Sequence, residues 1–129
     1  MATPTTLRYT KEHEWVSIDG NVATIGITDH AQNELGEIVY VEIETVGDHV
    51  DQDEVFGTVE AVKTTSDLFM PVSGKVIEFN SDLDESDGDN PGLINEDCYG
   101  GGWIIKVELS DPSQYESLMT AEEYDSLVS

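Results

Sequence analysis

Apolar and polar residues alternate with period two along five short runs of the chain. Alternation of this kind places the apolar side chains on one face of a β-strand. Turn-forming groups rich in Gly, Pro, Asn and Asp separate the runs. The five runs are residues 21–27, 37–44, 54–62, 74–80 and 102–109. We therefore predict a mainly β protein, built as a barrel or a sandwich of short strands.

Helix-type patterns are brief and lie at two places. Thr28 is a capping residue before a segment that ends with Leu35 and Gly36, which predicts a helix of about two turns. Over residues 111–128, apolar residues recur at helical spacing and Thr120 with Glu123 forms a capping-box pair. We expect two short C-terminal helices packed on the sheet, and a partner-binding amphipathic segment is the alternative.

Length and charge limit the domain count and the partners. A chain of 129 residues predicts one domain, residues 1–129. Its 28 acidic residues face only 5 basic ones, which gives a formal net charge of −23. Such a charge argues against nucleic acids and anionic membranes as partners.

The single cysteine and the absence of long apolar runs indicate in which cellular compartment the protein acts. The single cysteine, Cys98, excludes an internal disulfide and fits a reducing compartment, where we interpret it as a buried thiol. The start of the chain lacks the apolar stretch of a signal peptide, and no run approaches the roughly 18 apolar residues of a membrane span. We predict a cytoplasmic location and no membrane association.

Sequence motifs of enzymes and metal sites are missing. The chain contains no GxSxG, P-loop or GxGxxG motif. His13, His30 and His49 lie outside metal-ligand spacing. The acidic stretch 82–90 lacks the glycine and glutamate that a calcium loop needs at its sixth and twelfth positions. We therefore predict no metal site and no catalytic residues.

One lysine stands out by its position. Lys63 is one of four lysines and has β-type sequence on both sides, so residues of about 54–79 predict a hairpin with Lys63 at its tip. A side chain at such a tip is accessible to a modifying enzyme. Alternatively, Lys63 is only a solubilising charge, and the pattern alone does not decide between these interpretations.

Five motifs resemble the glycine cleavage system H protein family, in order and over nearly the whole chain. The E-A-V-K-T-T-S-D context of Lys63 is specific, since biotin carriers have E-A-M-K-M and acyltransferase lipoyl domains have D-K-A. The resemblance implies a lipoyl/biotinyl-type barrel-sandwich hybrid with short peripheral helices. The motifs are YTKEHEWV (9–16), ATIGITDHAQNELGEIVYVE (23–42), FGTVEAVKTTSDLFMPVSG (56–74), PGLINED (91–97) and GGWIIKVELSDP (101–112).

The resemblance also implies roles for individual residues. Lys63 would carry lipoate in amide linkage, while Glu60 and Gly74 would help the lipoylating enzyme to recognise the hairpin. Glu14 and Asp67 match acidic positions that line a cleft for the loaded arm. The alternative for each of these two acids is a solvated surface carboxylate.

The implied function is that of a non-catalytic carrier. It would take the aminomethyl group from glycine decarboxylase to aminomethyltransferase and present the dithiol to dihydrolipoamide dehydrogenase, after modification by a lipoylating enzyme. One alternative is an H-like lipoyl carrier that relays lipoate to other complexes. Another is a structural or interaction domain in which Lys63 is never modified.

The chain departs from the family pattern at a few positions. Between residues 80 and 91 it is about four residues longer, Cys98 stands where proline is common, and Glu34 occupies a variable position in the first helix. We relate the acidic insertion at 85–89 and the charge of −23 to a salt-adapted source. The alternative is an ordinary acidic protein that its charge keeps soluble.

Overall fold

A computed structural model describes residues 5–84, 88, 90–111 and 113–128, and these form mainly β-structure. The prediction of a mainly β protein is confirmed. Apart from Gly88, the acidic insertion at 85–89 lies outside the described residues. The elements are β1 Arg8–Tyr9, β2 Glu14–Asp19, β3 Val22–Ile27, α1 Asp29–Leu35, β4 Ile38–Glu42, β5 His49–Val50, β6 Val55–Ala61, β7 Thr65–Phe69, β8 Gly74–Phe79, α2 Leu93–Glu96, β9 Ile105–Leu109, α3 Ser113–Glu116 and α4 Ala121–Val128.

The strands form two sheets, neither of which closes on itself. The larger has the order β1-β2-β3-β9-β8-β5 and the smaller has the order β4-β6-β7. Every pairing is antiparallel. The smaller sheet contains the hairpin β6–β7, so the lysine-bearing segment belongs to a different sheet from the first and last strands, β1 and β9.

Each of the five alternating runs contains a strand, namely β3, β4, β6, β8 and β9. Four other strands of the described residues lie outside these runs, although β7 falls within the predicted hairpin of about 54–79. β1 and β5 have two residues each, too few for a period of two to be visible. β7 is mostly polar, and β2 begins with three consecutive buried residues, Glu14, Trp15 and Val16, so its two faces do not differ in polarity there.

The predicted helix caps are present. Thr28 accepts a hydrogen bond from the Ala31 N–H at 3.2 Å and begins α1, which ends at Leu35 before Gly36. At α4, the Thr120 N–H donates to Glu123 Oε1 at 3.0 Å, and the Glu123 N–H donates to Thr120 Oγ1 at 3.3 Å. These reciprocal bonds satisfy two amides that a helix start otherwise leaves without partners.

Two hydrophobic clusters hold the elements together. The main cluster lies between the sheets and takes residues from both, including Ile25, Val59 and Val107. A smaller cluster packs α4 against β1 and β2, where the Tyr9 and Tyr124 rings stack with centroids 4.9 Å apart. The C-terminal helix is therefore fixed to the sheet by burial of aromatic surface.

Cys98 is buried beside the smaller cluster. The Trp15 indole Nε1–H donates to the Cys98 carbonyl at 2.8 Å, and burial raises the pKa of the Cys98 thiol to about 12. A thiol in this state is not a nucleophile at neutral pH. The interpretation of Cys98 as a buried thiol is confirmed.

Candidate functional site: the lysine hairpin and the neighbouring cleft

Lys63 lies in the turn between β6 and β7 and is exposed. The turn is closed by a hydrogen bond from the Ala61 N–H to the Thr64 carbonyl at 2.8 Å, above the Glu60–Thr65 pair of the ladder. The neighbouring Val62 is 68 % exposed. The structure thus places Lys63 at a hairpin tip, where the sequence pattern predicted it. The hairpin ends at Phe69 and not near residue 79, because the following strand β8 pairs with β9 in the larger sheet.

The segment between α1 and β4 supports this tip from one side. The Val62 N–H donates to the Glu37 carbonyl at 3.0 Å. Gly36, in left-handed conformation with φ +82°, lies beside the Lys63 side chain, and a Cβ at Gly36 would be 4.0 Å from Lys63 Cε. The base of the tip is therefore held by backbone contacts, while Lys63 itself is exposed.

Glu60 and Gly74 lie in different sheets. Glu60 is exposed on β6 and pairs with Tyr40 on β4, close to the tip. Gly74 is buried at the start of β8, where a Cβ would collide with the Glu108 carbonyl and the Val107 side chain of β9. Close packing of β8 on β9 therefore accounts for a glycine at position 74 without any contact to another protein.

Glu14 and Asp67 line the same small cleft, whose volume is about 130 Å³. The cleft is bounded by α1, the start of β2, the end of β3 and the hairpin β6–β7. Its apolar lining consists of Ile27, Ala31, Leu35, Val59 and Leu68, and its polar lining consists of Glu12, His13, Glu14, Glu34, Ser66 and Asp67. A cavity that combines apolar walls with convergent polar groups is a candidate ligand site.

Glu14 is the buried acid of this cleft, only 2 % exposed. Its Oε2 accepts from the Phe69 N–H at 3.0 Å, and its Oε1 accepts from the Thr10 hydroxyl at 2.9 Å. Both bonds favour the ionised carboxylate, but burial outweighs them and raises the pKa of Glu14 to about 8. At neutral pH, Glu14 is therefore largely protonated.

Asp67 contrasts with Glu14 because it is exposed on β7, opposite Thr58 of β6. The alternative of a solvated surface carboxylate is wrong for Glu14, whereas Asp67 does carry a solvated carboxylate at the rim. The cleft thus has one acid in its floor and one at its edge.

Sequence reasoning missed a histidine pair beside the cleft. His13, with φ 69°, and His30 have ring centroids 4.7 Å apart, and His30 Nε2 lies 2.9 Å from Glu34 Oε1. His13 Nδ1 is 2.8 Å from the Tyr124 hydroxyl. Burial, followed by the proximity of His30, lowers the pKa of His13. The i,i+4 spacing of His30 and Glu34 was visible in the sequence, but their proximity to His13 was not.

These side chains do not assemble into a metal site. Within the part of the chain that the structure describes, no three His, Cys, Asp or Glu side chains are grouped so that they could hold a metal ion. His13 is instead held by the Tyr124 hydroxyl and ring, and His30 contacts the His13 ring and Glu34.

Comparisons with known proteins identify the family. The sequence model of the family described as "Glycine cleavage H-protein" matches residues 7–129. The chain belongs to this family. An H-protein relative from Staphylococcus saprophyticus, named "Glycine cleavage system H protein", is 52 % identical over 128 residues, which are 99 % of this chain and 98 % of the relative.

A solved H-protein structure shows the same fold. The crystal structure of a glycine cleavage system H protein from Mycobacterium marinum superposes with a TM-score of 0.84 and 36 % identity, over 95 % of this chain and 96 % of that one. The resemblance and the lipoyl-type fold that it implied are confirmed. H proteins are lipoyl-carrying subunits of the glycine cleavage system, and this general role is confirmed with the family.

The helices are too short to span a membrane within the described part of the chain. Among the helices of the described residues, none combines the length and the apolar character that crossing a bilayer requires. The longest, α4, has eight residues.

Proposed function

We propose that Lys63 carries lipoate in amide linkage and that the chain shuttles the aminomethyl group of glycine between the enzymes of the glycine cleavage system. The observation that supports this most strongly is the exposed Lys63 at the tip of a hairpin in an H-protein fold. The lipoyl group supplies a dithiolane, which accepts the one-carbon unit with electrons and is later reoxidised.

The residues around Lys63 suit this group. Acylation removes the positive charge of Lys63, and neither ion pair between described side chains involves Lys63, so neither has to break. Asp67 lies four residues further along the chain, a span of about 13 Å in extended backbone. The lysyl and octanoyl chains together can bridge such a distance, so a dithiolane attached at Lys63 can reach the cleft.

We further propose that the cleft holds the loaded arm. Its apolar walls suit the dithiolane body, while Glu14 and Asp67 can accept hydrogen bonds from an ammonium group. Because the pKa of Glu14 is about 8, an arriving ammonium would displace the Glu14 proton and then gain a carboxylate partner away from bulk water. The labile aminomethyl group would thereby be shielded from hydrolysis.

The chain itself catalyses no step in this proposal. Its one thiol, Cys98, is buried and largely protonated at neutral pH. Glycine decarboxylase, aminomethyltransferase, dihydrolipoamide dehydrogenase and a lipoylating enzyme would supply the chemistry. The absence of nucleic-acid and membrane partners stays a prediction from the charge of −23, and the cytoplasmic location also stays a prediction.

The alternative is an H-like carrier that relays lipoate to other complexes. Such a carrier needs Lys63 but no site that protects an amine. A buried carboxyl in the cleft, already held by Thr10 and Phe69, has no use in a simple relay. Glu14 therefore favours the aminomethyl carrier.

Peptide mass analysis after incubation with a lipoylating enzyme and lipoate tests the attachment. We expect one lipoyl increment on the peptide that contains Lys63 and none on Lys75, which lies within β8. Modification elsewhere, or none, would reject the site. Glycine-dependent NADH formation with the three partner enzymes then separates the aminomethyl carrier from the relay, which would give no NADH.

A further inference from the structure

Asn95 connects α2 to the segment that supports the lysine tip. Its Oδ1 accepts from the Ile38 N–H at 2.9 Å. Its Nδ2 donates to the Gly36 carbonyl at 2.8 Å and to Gln32 Oε1 at 3.0 Å. One amide side chain thus uses three hydrogen bonds to hold the turn that leads from α1 into β4.

This turn is in direct contact with the lysine hairpin. Glu37, between the two residues whose backbone Asn95 holds, accepts the Val62 N–H at 3.0 Å, and Gly36 lies beside the Lys63 side chain. Moving residues 36–38 would therefore move the one acceptor of the Val62 N–H, directly before Lys63.

Asn95 is itself held firmly. Its neighbour Ile94 is fully buried in the main cluster, and α2 closes with hydrogen bonds from the Glu96 N–H to Gly92 at 3.0 Å and from the Asp97 N–H to Leu93 at 2.8 Å. A short helix anchored by a core residue provides a fixed point from which a side-chain amide can hold an exposed turn.

We propose that Asn95 is a positioning residue for the lysine tip: through Gly36 and Ile38 it fixes the Glu37 carbonyl, and thereby the backbone at Val62, so that Lys63 is presented to the lipoylating enzyme in one conformation. This role rests on the proposed lipoylation of Lys63. Preorganisation of the tip lowers the ordering cost when the enzyme binds it.

The chain offers a matched control in Asn80. It also uses one side-chain amide for three bonds, since Nδ2 donates to the Gly101 carbonyl at 2.9 Å and the Trp103 carbonyl at 2.8 Å, and Oδ1 accepts from the Asp82 N–H at 3.1 Å. None of these groups contacts the hairpin tip. Asn80→Ala therefore removes an equivalent set of bonds elsewhere.

The experiment compares Asn95→Ala, Asn80→Ala and the unmodified parent chain by two measurements. Hydrogen exchange of the Val62 amide, followed by NMR before lipoylation, reports the tip itself. In Asn95→Ala we expect the exchange rate of the Val62 amide to rise roughly five- to tenfold. This factor corresponds to the net free energy of one lost hydrogen bond. Lipoylation kinetics should show kcat/KM lowered by roughly the same factor, mainly through KM. Asn80→Ala should change neither quantity.

Asn95→Asp is a milder variant in case the alanine variant folds poorly. An aspartate keeps an acceptor for the Ile38 N–H but cannot donate to the Gly36 carbonyl or to Gln32, so we expect faster Val62 exchange here too. Unchanged Val62 exchange in both Asn95 variants, or equal acceleration in Asn80→Ala, would overturn the proposal. Faster exchange with unaltered lipoylation would also overturn it.

Failure of the proposed function would be recognised separately. If the parent chain is not lipoylated at Lys63, the carrier proposal fails. The proposed role of Asn95 in presenting Lys63 to the lipoylating enzyme then fails as well. The Val62 exchange would still show whether Asn95 holds the tip.

Discussion

The lysine tip and the floor of the cleft are fixed in opposite ways. At the tip, Lys63 and Val62 are exposed, and backbone bonds such as that from the Val62 N–H to the Glu37 carbonyl hold the turn. At the floor, Glu14 is buried and is held through its carboxyl group by Thr10 and by the Phe69 N–H. An attachment point needs a rigid backbone with a free side chain, whereas a receiving site needs a dry, preorganised side chain.

The two regions also differ in electrostatics. Burial raises the pKa of Glu14 to about 8, although two hydrogen bonds favour its charge. Glu12 and Asp53 add to the shift by repulsion. A carboxyl in this state binds a cation and releases a proton together, whereas Asp67 at the exposed rim is solvated. The experiments below separate the tip from the cleft, and the floor of the cleft from its rim.

The largest effect is expected from Lys63→Arg. Arginine keeps the positive charge at the exposed tip but cannot form the lipoyl amide, so glycine-dependent NADH formation in the reconstituted system should be abolished with the fold intact. Lys75→Arg is the control and should retain activity, since Lys75 lies on β8. Substantial turnover by Lys63→Arg would show that the tip is not the attachment point.

Glu14→Gln and Asp67→Asn test the cleft without altering the tip. Each variant should be lipoylated normally but should lose ammonia from the loaded arm faster. A charged hydrogen bond contributes about 1.5–3 kcal/mol, so we expect roughly ten- to hundredfold faster release for buried Glu14→Gln. For exposed Asp67→Asn, water screens the charge and we expect about two- to fivefold. The measurement is non-enzymatic ammonia release, and rates equal to those of the parent chain would refute docking.

The pH dependence of stability tests the buried state of Glu14. Its folded pKa of about 8 lies above the usual 4.5, so the folded chain binds more protons than the unfolded chain between these values. The contribution of Glu14 to stability is thus complete below pH 4.5 and is lost as pH rises through 8.

Denaturant unfolding of the parent chain and Glu14→Gln between pH 5 and 9 gives the measurement. The difference in the free energy of unfolding, Glu14→Gln minus parent, should increase as pH rises. The expected slope is at most about 1.4 kcal/mol per pH unit up to pH 8. Subtraction removes the opposite effect of His13, whose lowered pKa costs stability when pH falls below about 6.5. A constant difference would mean that Glu14 is solvated.

The smallest and least specific effect concerns the whole surface. The two ion pairs that join described side chains each contain a histidine, and Arg8 donates to the Leu118 carbonyl at 3.1 Å rather than to an acid. Because the chain has 28 acidic and only 5 basic residues, its own Lys and Arg side chains cannot neutralise the net charge of −23. Raising KCl from about 0.1 to 1 M shortens the Debye length from about 10 to 3 Å and should raise Tm by several degrees.

The KCl series also decides between the two explanations of the acidity. A marked rise in Tm supports a salt-adapted source, which remains our proposal. A Tm that stays flat or falls leaves the charge as a solubility feature. The Glu14 slope with pH should persist at high salt, because a buried group is screened far less than the surface.

Features that depend on nearby residues could be predicted from the sequence. The Thr28 cap, the Thr120–Glu123 capping box and the turn at Lys63 each join residues at most a few positions apart, so their patterns are visible in short windows. The five alternating strands were found for the same reason. The family motifs added the roles proposed for Lys63, Glu14 and Asp67, which no local pattern contains.

Only the tertiary structure decided which distant residues meet. Glu14 contacts Phe69 across 55 positions and Asn95 contacts Ile38 across 57, and neither pair leaves a trace in local periodicity. The buried state of Glu14, the proximity of His13 to His30 and the packed position of Gly74 all arise when separate strands and helices pack against one another. Burial and its effect on pKa are properties of that closed packing, because they depend on how much water the surrounding elements exclude.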